Sequence, residues 1–225
     1  MKPKKFLLEA MLVMAGWTCG PTAHADLVWS LVDDYNIQMP NPNGVWSYGW
    51  EQTLTAPLTL YNATRYDQWY DASHTSGDYT PTVWKNNDTV AHNNIVPGEV
   101  SLHPGWDNSF SVVRWTAPVT GNVDISGHFG AGDGGWMSYY IADNDVVLSG
   151  LQWLSDPGTE YFTFRRSVIQ GETLDFIVGV PIGGGYGYGN TPLDVTITAS
   201  VPEPENLAMM LAGLAVLVPL ARRRA

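Results

Sequence analysis

Val123-Asp124-Ile125-Ser126-Gly127-His128-Phe129 and Leu193-Asp194-Val195-Thr196-Ile197-Thr198 decide the fold. In both, apolar and polar side chains change places at every residue, the period of a strand with one face in a core and the other in water. Runs of the same β-branched and aromatic character recur about every ten residues, which is the spacing of an all-β domain. They predict strands over 27–32, 45–50, 58–61, 82–85, 110–116, 122–129, 137–142, 146–148, 161–166, 173–180 and 193–199. Turn chemistry separates them, as at Pro40-Asn41-Pro42-Asn43-Gly44, Ala131-Gly132-Asp133-Gly134-Gly135 and Gly183-Gly184-Gly185. No helical period stands out before residue 205. Strands without helices bury one face on a second sheet, so the expectation is an all-β, two-sheet antiparallel β-sandwich of jelly-roll type.

The two ends have a different composition. Lys2, Lys4 and Lys5 precede an apolar stretch and the small-residue triplet Ala23-His24-Ala25, the pattern of a cleavable signal peptide over 1–25, cut after Ala25. Near the other end, Pro202-Glu203-Pro204 leads into an apolar run over 207–221 and then Arg222-Arg223-Arg224. Fifteen residues rise about 22 Å as a helix against a hydrocarbon core of about 30 Å, a marginal span. The arginines favour the cytoplasmic side, which leaves the body outside the inner membrane. The expected organisation is a signal helix over 1–25, a sandwich domain over 26–200 and a hydrophobic helix within 201–225.

The Pro-Glu-Pro triplet, the short apolar segment and the arginine cluster together resemble the PEP-CTERM sorting signal of Gram-negative bacteria. That resemblance implies transient residence in the inner membrane, an exosortase-type processing enzyme as partner, and delivery to the cell envelope, the cell surface or the extracellular matrix. The interior is also similar to a known domain. Residues 41–50, Leu102-His103-Pro104-Gly105 with residues 111–118, and residues 171–179 resemble a β-sandwich that recurs in PEP-CTERM and polysaccharide-associated bacterial proteins, itself similar to carbohydrate-binding jelly rolls. The resemblance implies extracellular polysaccharide as the partner. Where that domain carries an Asp before its last strand, this chain has Tyr188-Gly189-Asn190-Thr191-Pro192.

Charge and cysteine content exclude several functions. Residues 26–200 hold five basic and nineteen acidic side chains, a net charge of −14. Nucleic acid needs the opposite sign. Cys19, the one cysteine, lies in the signal segment, so the body has no thiol chemistry, cysteine-zinc site or disulfide.

Nine tryptophans and eleven tyrosines in the body are the best functional clue, because sugar rings stack on flat aromatic faces. Trp46, Tyr48 and Trp50 share one strand face, either as core packing or as a binding strip. Tyr66, Trp69, Tyr70 and Tyr79 lie in a polar segment and read as exposed loop aromatics. Tyr186 and Tyr188 follow a glycine run and read as a loop at a sheet edge. These six are the candidate carbohydrate contacts. Calcium has oxygen-rich candidates in Asp133, Asp143 and Asp145, without an EF-hand spacing, and no other cofactor is expected. A His103–Asp107 pair would suit general-base chemistry or, more simply, a hydrogen-bonded turn. The chain has no Gly-x-Ser-x-Gly elbow, and the expectation is a binding protein, not an enzyme. Two other classes stay open: a structural, self-associating matrix protein, and a polysaccharide-active enzyme.

Overall fold

The computed structural model describes residues 25–154 and 158–201. The expected signal segment with Ala23, the expected sorting motif with Pro202, Glu203, Pro204, Arg222, Arg223 and Arg224, and the two flanking helices expected from the sequence lie outside the described residues. Asp26–Ser200 form one compact unit.

Its strands are β1 (Ala25–Ser30), β2 (Trp46–Glu51), β3 (Thr59–Leu60), β4 (Ala63–Arg65), β5 (Gln68–Tyr70), β6 (Thr82–Lys85), β7 (Val100–His103), β8 (Phe110–Thr116), β9 (Gly121–Gly130), β10 (Met137–Asp143), β11 (Val146–Leu154), β12 (Thr159–Val168), β13 (Thr173–Gly179) and β14 (Thr191–Val201). They form two sheets, ordered β12-β9-β14-β7-β6-β5-β4 with β1 also on β14, and β11-β10-β13-β8-β2-β3. The registered strand pairs are antiparallel. The fold is the two-sheet β-sandwich that the alternating stretches imply.

The inward residues of those stretches make the core. Val123, Ile125 and Phe129 on β9 and Leu193, Val195 and Ile197 on β14 are buried, and they face Trp115, Phe176 and Val178 of the second sheet. Trp46 and Tyr48 are fully buried in the same cluster, which resolves that aromatic strip as packing. Trp50 is half-buried, stacks on His74 at 3.7 Å, and donates through Nε1 to Asp71 Oδ2 at 3.0 Å.

Three strands and one helical turn depart from the sequence expectation. Leu31–Asp34 form a single helical turn, α1, capped by Ser30, whose side chain accepts from the Asp33 N–H. Strands β4 and β5 form a tight hairpin, with Arg65 opposite Gln68 and only Tyr66-Asp67 between them. Three residues per strand are too few to show a period, and the turn lacks the Asn-Gly or Gly-x signal because Tyr66 itself takes the positive φ of 53°. Strand β7 alternates over just four residues, next to Pro97-Gly98, which reads as a turn. These three short strands complete the half of the first sheet that carries the candidate site.

Candidate functional site

Strand pairing puts Gln68, Trp84, Ser101 and Pro192 in one row across β5, β6, β7 and β14, and Tyr70, Thr82 and His103 in the next. Their neighbours Trp69, Val83, Leu102 and Leu193 point into the core. Because side chains alternate along each strand, both rows face away from the opposing sheet. Loops rise around this outer face and turn it into a groove with two adjoining clefts. One, of about 370 Å³, is bounded by Asp78, Thr80, Thr82, Asn93, His103 and Asn190. The other, of about 440 Å³, is bounded by Tyr66, Asp67, Lys85, Asn86, Asn87 and Asp88. Gln68, Trp84 and His92 belong to both and separate them.

The half-buried indole of Trp84 is fixed from behind. Its Nε1–H donates to Asn190 Oδ1 at 2.7 Å. Asn190 in turn donates from its backbone N–H and its Nδ2 to the two oxygens of Asp133, at 3.1 and 2.9 Å. The 131–135 loop comes close enough to do this because any side chain at Gly132 or Gly135 would collide with the carbonyl oxygens of Asn190 and Tyr188. The far wall is organised by Asn86, whose Nδ2 donates to the carbonyls of Val90 and Ile95. Lys85 Nζ donates to the Val32 carbonyl at 2.7 Å.

His103 is spent in a similar way. Nδ1–H donates to the Pro104 carbonyl at 2.8 Å, and Nε2 accepts from the Gly189 N–H at 3.2 Å, which assigns the neutral tautomer. Burial lowers its pKa below the usual histidine value, consistent with both bonds. It makes no pair with Asp107, and of the two readings the simpler one, a hydrogen-bonded turn, fits: the Asn108 N–H donates to the Gly105 carbonyl at 3.0 Å. Asp107 instead meets His74 at 3.3 Å and accepts from Ser109 Oγ at 2.7 Å. His74, Ser109 and Asp107 resemble a nucleophile set in composition only. The same imidazole nitrogen, Nε2, faces both the serine and the aspartate, whereas a triad needs one partner on each nitrogen, and Ser109 is fully buried. The cluster ties the 71–76 and 105–109 loops together.

The six candidate aromatics separate into distinct positions. Tyr66 is 79% exposed at the hairpin tip and lines the larger cleft. Tyr70 is in the outer row and meets Tyr79 edge-on at 5.1 Å, with the Arg65 guanidinium 4.2 Å above the Tyr79 ring. Tyr186 packs edge-on to His103 at 6.2 Å, beside the smaller cleft. Tyr188 is exposed but lines neither cleft. Trp69 is a correction: it is 6% exposed, stacked on Tyr48 at 6.2 Å in the core, because it occupies the inward position of β5 and not a loop.

The three aspartates expected to offer oxygen to calcium are not brought together. Asp133 holds Asn190, Asp143 pairs with Arg166, and Asp145 meets Arg114 Nη2 at 3.2 Å. Among the described residues no three His, Cys, Asp or Glu side chains cluster as metal ligands.

Sequence reasoning missed Trp84, Gln68, His92 and Asn93. One signal was present: Trp84 alternates with Val83 on a strand, so one of the two had to face outward. Among the described residues the side-chain amides of Gln68, Asn87 and Asn93 make no hydrogen bond, which leaves donors and acceptors on both sides of the indole.

No protein-family model matches the chain, and no curated protein matches it. Several solved structures overlap with part of it. A family 35 carbohydrate-binding module from Clostridium thermocellum is 11% identical, with a TM-score of 0.30 over 44% of this chain and 75% of that one. The CBM35 from Paenibacillus barcinonensis is 18% identical, with a TM-score of 0.31 over 50% and 87%. The CBM36-1 domain of a multidomain xylanase from the hindgut metagenome of Trinervitermes trinervoides is 11% identical, with a TM-score of 0.32 over 49% and 83%. At such scores the overlap says nothing of what the groove binds.

Proposed function

We propose that this chain is a non-catalytic polysaccharide-binding protein, exported across the inner membrane, sorted by its PEP-CTERM-like tail and retained in the exopolysaccharide or biofilm matrix. The observation that carries the binding reading is Trp84: an indole locked by Asn190 and Asp133, set between two clefts lined by unspent amides. A flat apolar ring with amide and hydroxyl groups around it matches a sugar, whose C–H face stacks while its hydroxyls both donate and accept. The non-catalytic reading is supported by how the reactive groups are used. His103 has both nitrogens bonded, Asp78 accepts from Ser76 and Thr80, and Asp88 accepts from His92.

Affinity electrophoresis through gels cast with neutral glucan, galactomannan, chitosan or alginate tests this. The wild-type chain is expected to be retarded by at least one polymer, and Trp84→Ala should lose at least about tenfold in affinity, as expected for removing a stacking side chain worth more than 1.4 kcal/mol. Alginate should retard least, since the groove lining holds Asp67, Asp78 and Asp88 against one ammonium, that of Lys85. Retardation by none of the polymers would refute the reading.

A second reading, self-association in the matrix, has its own observation. Strand β11 is the outermost strand of the second sheet and exposes Val146, Val147, Leu148 and Leu151. An apolar edge with unpaired backbone groups is a template for another strand. On this reading, sedimentation velocity at micromolar concentration should show a dimer that Val147→Lys abolishes; a monomer throughout would dismiss it.

A further inference from the structure

We infer that the groove holds an internal stretch of the polysaccharide across two subsites, with Trp84 as the wall they share. This rests on the polysaccharide reading above and adds what that reading leaves open, the length and position of the chain segment recognised.

Three observations lead to it. The two clefts are comparable in volume, about 370 and 440 Å³, and neither is a closed chamber. They adjoin along Gln68, Trp84 and His92, so a ligand filling one can continue into the other without leaving the surface. Each also has its own polar equipment: Asn93 and Thr80 in the smaller, Asn87 and Asp88 in the larger. A pocket for a chain end would be blind on one side. Here the floor is a pair of side-chain rows running across β5, β6 and β7, and the loops rise at its flanks.

Linking two binding events in one molecule makes the second effectively intramolecular, so affinity rises steeply once a ligand is long enough to span both. A single sugar occupies one cleft at a time and gains nothing from the other. Asn87 and Asn93 are exposed, and neither belongs to the other's cleft; Asn93 takes a positive φ of 52° that glycine adopts without strain, so Asn87→Ala and Asn93→Gly each report on one subsite.

The test is isothermal titration with oligosaccharides of one to six units cut from the polymer that retards the protein most. Binding should strengthen at least about tenfold between the monosaccharide and the longest oligomer, which corresponds to 1.4 kcal/mol or more. Asn93→Gly and Asn87→Ala should each weaken the hexasaccharide several-fold, and the double variant should weaken it by about the product of the two. A monosaccharide that binds as tightly as the hexamer, or a hexamer that responds to only one of the two variants, overturns the two-subsite arrangement while leaving polysaccharide binding intact. Failure of every polymer to retard the protein removes both.

Discussion

Arg114→Met is expected to destabilise the protein by about 3–5 kcal/mol at neutral pH, the usual cost of leaving a buried charge without its partner. Arg114 sits on β8 on the outer face of the second sheet and grips Asp175 of β13 directly opposite, Nε to Oδ1 at 2.6 Å and Nη2 to Oδ2 at 2.7 Å. Asp175 is 1% exposed, and Arg114 also lies 3.2 Å from Asp145 and 4.0 Å from the buried Glu51. One guanidinium therefore answers two buried carboxyls and one exposed carboxylate. Burial already raises the pKa of Asp175 against the pull of Arg114, so removing the arginine drives it further toward the neutral acid. The deficit of Arg114→Met should accordingly shrink on acidification, as Asp175 takes up a proton. Urea unfolding of Arg114→Met, Asp175→Leu and the double variant checks this as a cycle. The double variant should recover most of the loss, since an apolar replacement of both partners leaves no unpaired charge. A double-variant loss equal to the sum of the two single losses would show that the pair is not coupled.

The sandwich was legible because β9 and β14 are half-buried: they alternate over 123–129 and 193–199, and each period fixes which face is core. The site was less legible because it is made from the parts with the least period. Strands β4 and β5 have three residues each and β7 has four, and only pairing across the sheet brings Gln68, Trp84 and Ser101 into a row. Aromatic excess identified the right segment around Tyr66 and Tyr70 but not the direction of each ring. Trp69 went inward because Gln68 and Tyr70, one residue to either side, went outward. The lock on Trp84 was invisible for another reason: Asn190 and Asp133 are separated from it by 106 and 49 positions in the chain, and no local pattern records such a contact. The buried ion cluster on the opposite sheet was hidden likewise, since Glu51, Arg114 and Asp175 meet only through the order β13-β8-β2.

Glu51→Gln should stabilise the protein by up to about 3 kcal/mol at pH 8 and by almost nothing at pH 4. Glu51 ends β2 beneath the 52–58 loop, where it is 1% exposed. Neither of its oxygens has a hydrogen bond of good geometry, and its cationic neighbour among the described residues, Arg114, is 4.0 Å away and already committed to Asp175. Burial first, then the nearby Asp175, push its pKa from 4.5 up to about 7, with Arg114 opposing. A carboxyl whose pKa is raised by folding binds its proton more tightly in the native state. Between pH 4.5 and about 7 the native protein therefore holds a proton that the unfolded chain has lost. Stability must fall as pH rises through that window. At 1.36 kcal/mol per pKa unit, that rise corresponds to about 3 kcal/mol. Glutamine keeps the shape and cannot ionise, so the variant should lose this slope and overtake the wild type at neutral pH. Urea midpoints of both proteins from pH 4 to 8 would show converging curves on the acid side. Curves that stay parallel throughout would mean that Glu51 is ionised in the folded protein at no cost, with Arg114 as its true partner. In that case the Arg114→Met deficit would no longer shrink with Asp175 alone, which ties the two measurements together.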